Sequence, residues 1–110
     1  MVKNIIENIE EKIRANTSLT ENNKTELLDL LAKLKPEIDE FSKAKAEHAE
    51  SIAGFMSSSA HEVLRQEKNP TLLRLSIDGL FASVKGFEVS HPQLVETVNY
   101  IADVLAKMGI

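Results

Sequence analysis

Three histidines and a run of serines are the side chains whose types could do chemistry here. Glu88 and His91 form a literal Glu-x-x-His, the spacing that di-metal carboxylate bundles use for two of their ligands. Such a centre needs two of these pairs and two further carboxylates. The chain has no second Glu-x-x-His, and Pro92 sets this one at a helix junction. His91 is therefore expected to close a turn by hydrogen bonding. His48 stands in the apolar phase of a helix, where a small change of surroundings can move an imidazole's charge across neutral pH; the expected role is structural. His61 lies beside Glu62 and Ser57-Ser58-Ser59. Ser58, His61 and Asp78 can be written down as a triad, but no strand-turn-helix elbow surrounds a serine. The four glycines, at 54, 79, 86 and 109, are too scattered to cradle a phosphate. With no cysteine there is no thiolate ligand or nucleophile. No catalytic, cofactor-binding or metal-ligating residue is assigned, and a non-enzymatic protein is expected. The alternative is a small-ligand or metal-binding bundle lined by His48, Glu47 and Glu50.

What must position these residues is one domain, residues 1–110, long enough for a modest core without disulfide or metal. The formal net charge of −4 is mild. A nucleic-acid binder usually carries a basic face. The nearest basic cluster, Lys33, Lys35, Lys43 and Lys45, is interleaved with Glu37, Asp39, Glu40 and Glu47. No nucleic acid is expected. No membrane is expected either: no apolar run approaches the bilayer length, and Glu96 and Asp103 occupy the polar face of the last helix. The start meets acid at Glu7 with no basic, apolar leader. With the lack of cysteine, this sets the expectation of a cytoplasmic protein.

Helical periodicity runs through the chain. Val2, Ile6, Ile9 and Ile13 recur at four, three and four, one face of a helix. Glu10 precedes Arg14 in the favourable ion-pair order. A turn follows at 16–20, with Thr20 or Ser18 as the next N-cap. Leu27, Leu31, Leu34, Ile38 and Phe41 keep the same rhythm through Pro36, so one long helix from Thr20 to Gln66, kinked near Pro36, is expected. Lys45 and His48 stand in its stripe where Leu would be expected. Asn69 and Pro70 start the next helix, 70–88, on Leu73, Ile77, Leu80, Val84 and Phe87. Ser90-His91-Pro92-Gln93 reads as a structural turn carrying a capping box, with Val89 and Leu94 as its hydrophobic staple. The last helix, 91–108, carries Leu94, Val98, Ile101 and Leu105. The fold class is all-α: an antiparallel helical bundle with one long kinked central helix and a C-terminal helical hairpin.

Phe87-Glu88-Val89-Ser90-His91-Pro92-Gln93-Leu94, with Ile101-Ala102-Asp103 and the ending Met108-Gly109-Ile110, resembles the family of small bacterial proteins known as domain of unknown function 4404. Its members tend to share a Phe-Glu-x-Ser-His-Pro-x-Leu turn and a Met-Gly-Ile ending. The resemblance implies a bacterial, all-helical protein and brings no activity, cofactor or catalytic residue.

A helix of that length outruns the others, so Ile38, Phe41 and the alanine-rich middle would lie open in a monomer. A homodimer is expected, joined through Ile38, Phe41, Ala44, His48, Ile52 and Phe55, with Ala49, Gly54 and Ala60 at close contacts. The expected function is a self-associating interaction, scaffold or regulatory protein, with a second protein as the other class of partner. The stripes themselves are testable. Ile101→Asp or Leu80→Asp buries an unpaired charge and should cost several kcal/mol, on the scale of the whole stability of such a domain. The readout is loss of helical circular dichroism; a melt like the parent's would overturn the core assignment.

Overall fold

The structure is a computed structural model that describes residues 2–109. Among these residues the chain forms α1 (Val2–Ala15), α2 (Glu21–Ala44), α3 (Ala46–Leu64), α4 (Pro70–Ser83) and α5 (Pro92–Met108), with no strand. The all-α bundle is as the spacing predicts. Helix α3 touches all four others; α1 meets α2 and α3, α4 meets α3 and α5, and α2 also meets α5. The result is two layers, with α1, α3 and α4 set against α2 and α5. The 4-3 stripes fill the space between, among them Ile6, Leu31, Leu34, Met56, Val98 and Ile101, all fully buried.

The long central helix is instead two helices. A single rod from Thr20 to Gln66 would run about 70 Å, whereas the longest extent of the molecule is 37 Å. The break falls at Lys45 (φ −134°, ψ 57°), not at Pro36. Proline removes the bond to the carbonyl four residues back, that of Ala32. Ala32 and Pro36 are both exposed, so water can take the freed carbonyl and α2 runs on. At Lys45 the reason is polarity. A continuing helix would carry Lys45 and His48 into the core on the apolar stripe, where an unpaired charge is costly. The one non-helical residue swings both into solvent and folds α3 back onto α2. Lys45 keeps both of its backbone hydrogen bonds: its N–H donates to the Phe41 carbonyl at 3.0 Å, and its carbonyl accepts from Ala49 N–H at 2.9 Å.

This turn removes the reason given for the dimer contact. Ile38, Phe41 and Ile52 are buried inside the single chain, as are Ala49 and Ala60. They cannot form an interface, because the folded-back helices already cover them. Ala44, His48 and Phe55 remain exposed.

Local signals fare unevenly. Thr20 Oγ1 caps α2 by accepting from Asn23 N–H at 3.1 Å, and Asn69 Oδ1 caps α4 by accepting from Leu72 N–H at 3.0 Å, as expected. The capping box does not form. His91, not Ser90, occupies the N-cap of α5, with no side-chain bond to the helix, and Val89 is 96% exposed, so there is no staple. Helix α4 stops at Ser83 rather than 88 because the chain turns at Gly86, whose φ of +96° suits only glycine. Glu10 bonds Lys35 of α2 at 2.9 Å rather than Arg14. That carboxylate is buried, so its partner comes from the helix packed against it.

Pro36→Ala should restore the missing helical bond and raise stability by about 1–3 kcal/mol. A urea midpoint that rises at constant slope is the expected result; a fall would mean the proline ring is part of the packing.

Candidate functional site

The break at Lys45 and the turn at Gly86 bring two separately read histidines to one place. Phe41 ends the buried face of α2, His48 lies in the first turn of α3, Phe87 follows Gly86, and His91 heads α5. The Phe41 ring meets Phe87 edge-on at 5.0 Å between centroids and His91 at 4.8 Å. Phe87 in turn meets His48 at 5.0 Å and His91 at 6.3 Å, both edge-on, the arrangement that the ring quadrupole favours. Nothing in the periodicity paired His48 with His91. Phe87 joins them, and its own position depends on a left-handed glycine.

The same turn answers the Glu-x-x-His reading. The Glu88 carboxylate accepts from Gly86 N–H at 2.7 Å and so fastens the turn. His91 Nδ1 lies 3.0 Å from Ser90 Oγ, and His91 N–H donates to the Phe87 carbonyl at 2.8 Å. The turn itself runs through Glu88, Val89 and Ser90, while His91 stands at the N-cap of α5 and Pro92 and Gln93 already belong to that helix. Among the described residues no three of His, Asp or Glu gather as metal ligands. Among the described residues no carboxylate bonds either imidazole to orient it as a general base. Ser58, His61 and Asp78 are all exposed, and no hydrogen bond among the described residues joins them.

Beside the ring cluster is an open cleft of about 340 Å³ between Glu37, Glu40 and Phe41 of α2 and residues 90–94. Glu40 pairs with Lys43 at 3.0 Å. That hydrogen bond, reinforced by the carboxylate's charge, holds the exposed Lys43 ammonium above the ordinary lysine range.

A different kind of surface lies on the other layer. Leu75 of α4 is 60% exposed, Leu72 42% and Phe55 of α3 40%. Helix α4 buries Ile77 and Leu80 along its own length and turns a second apolar row outward. Gly79 lets the two helices meet here. A Cβ at that position would stand 2.3 Å from the Phe55 ring, so the ring lies directly across the glycine. Of the residues expected at an interface, Phe55 belongs to this face. Leu72 and Leu75 were missed, although Leu72, Leu75, Gly79 and Ala82 repeat at three, four, three. The stronger inner stripe of the same helix masked that signal.

A family model, domain of unknown function (DUF4404), matches residues 27–110. The chain belongs to the DUF4404 family. The match takes in α3, α4, α5 and all but the first turns of α2, so it contains the ring cluster, its turn and the α3–α4 face. No curated protein and no solved structure matches the chain. At the end of α5 a Cβ on Gly109 would meet the tip of the Leu73 side chain at 2.0 Å, so that side chain would have to move aside. Ile110 lies outside the described residues.

Phe87→Ala would remove the ring that both imidazoles touch. A stability loss of about 2–4 kcal/mol is expected for a half-buried phenylalanine. The ring-current-shifted proton signals of His48 and His91 should return together toward ordinary positions, and independent behaviour of the two would contradict a shared cluster.

Proposed function

We propose that this DUF4404 protein is a non-enzymatic, cytoplasmic interaction protein of bacteria that self-associates through the α3–α4 face. The observation that carries this reading is the set of partly uncovered apolar side chains Phe55, Leu72 and Leu75 on adjoining helices. Large apolar groups gathered on one surface mark sites of contact. The backbone beside them is bare as well: Gly54 has open space around it, and Ser58 and Ala82 are exposed. A second helix can approach such a surface closely.

A twofold pairing would make each copy offer the same patch. Only three half-exposed side chains on each copy would be covered, a patch smaller than the interface of a stable complex. A weak dimer follows, dissociating at tens to hundreds of micromolar, on the order of 5–6 kcal/mol. Such an affinity suits a regulator whose assembly tracks its concentration.

Sedimentation velocity across that concentration range tests the reading. The wild-type chain should shift from monomer to dimer, and Leu75→Glu should stay monomeric with unchanged circular dichroism. A wild-type protein that remains monomeric throughout would remove self-association from the proposal.

A further inference from the structure

The solvent face of α5 differs in character from the α3–α4 face and lies on the opposite layer. Three neighbouring depressions follow it. Tyr100 and Asp103 line two of them, and Pro92 lines two. Their walls carry six carboxylates, Glu26, Glu37, Glu40, Glu88, Glu96 and Asp103, against one cation, Lys107. Lys43 pairs with Glu40, and Lys33 stands in the same register on α2. With both of these counted, the face still holds three of the chain's four net negative charges. The rest of the surface is close to balanced.

Charge is one of four features that converge here. Tyr100 is 53% exposed at the centre, and an aromatic face attracts guanidinium and ammonium groups. Val95, Val104 and Met108 line the same depressions with apolar surface. Two buried acceptor atoms, Asn99 Oδ1 and Glu37 Oε1, have no donor among the described residues. Both side chains are only partly covered and can turn toward a donor brought by a ligand, as an unsatisfied acceptor costs about 1–3 kcal/mol. Lysine and arginine supply donors, cations and apolar stems together.

We propose that this face docks a basic, amphipathic segment of a partner protein. Glu96 and Asp103 stand two helical turns apart, about 10 Å, and engage two cationic side chains of the segment while Tyr100 stacks on one of them. The same negative field disfavours nucleic acid and anionic lipid. The inference does not depend on self-association, which uses the other layer.

Tyr100 makes the test direct, because the chain has one tyrosine and no tryptophan. The full chain is titrated at low salt with an alternating lysine–leucine–arginine peptide that lacks aromatic residues. The tyrosine emission should change saturably, and amide shifts should concentrate at Glu96, Asn99, Tyr100 and Asp103. The double reversal Glu96→Lys with Asp103→Lys should weaken binding by about tenfold or more, as expected for paired charges at short range. The matching reversal Glu47→Lys with Glu50→Lys on α3 alters net charge equally and should change affinity less than about twofold. An absence of saturable binding would overturn the proposal. So would equal weakening by the two reversals, which would reduce the effect to overall charge. Sedimentation of the same samples reads self-association separately, so either proposal can fail alone.

Discussion

One non-helical residue governs the architecture. Lys45 leaves the helical region while its N–H and carbonyl keep helical partners on both sides. Lys45 itself therefore loses no backbone hydrogen bond where the chain reverses. The driving force is the placement of two polar side chains. A straight continuation would hold Lys45 and His48 against apolar neighbours, and desolvating an unpaired ammonium outweighs the loss of one residue's helical geometry. Once α3 folds back, Ile38, Phe41, Ala49 and Ile52 close over one another. The remaining helices then dock on a surface that a straight rod would not present.

Polar groups that end up inside are managed by tertiary partners more than by sequence neighbours. The Glu10 carboxylate is buried and meets Lys35 from the adjoining helix. An isolated buried carboxylate would be costly, so this pair fixes how α1 sits on α2, even if its net contribution to stability is small. Glu62 follows the local alternative, bonding Arg65 one turn on at 2.9 Å. At the end of α3, Lys68 Nζ donates to the Val63 carbonyl, a cation answering free carbonyls at a helix C-terminus.

The two layers give the molecule two unlike faces. On one side, α3 and α4 leave aliphatic and aromatic groups beside small residues. On the other, α2 and α5 present carboxylates around a single tyrosine. The ring cluster of Phe41, His48, Phe87 and His91 joins the layers, because its members come from α2, α3, the α4–α5 turn and the head of α5. It serves as a clasp on the fold.

The chain's own pattern determined the helices, the inner face of each, and the caps at Thr20 and Asn69, because these depend on interactions within a few residues. The resemblance to the DUF4404 family agrees with the family model that matches residues 27–110. Tertiary structure decided where the central rod ends: Pro36 already lies on the outer side of α2, whereas Lys45 would fall on the apolar stripe if the helix ran on. It also decided that Ile38 and Phe41 are core, that Glu10 answers Lys35, and that Val89 projects into solvent instead of stapling a helix. The candidate surfaces were legible only in part. Phe55 was expected at an interface, whereas Leu72, Leu75 and the acidic setting of Tyr100 emerge from how helices distant in sequence lie side by side. Periodicity reports that a residue has an apolar neighbour, but burial depends on how many helices arrive to cover it.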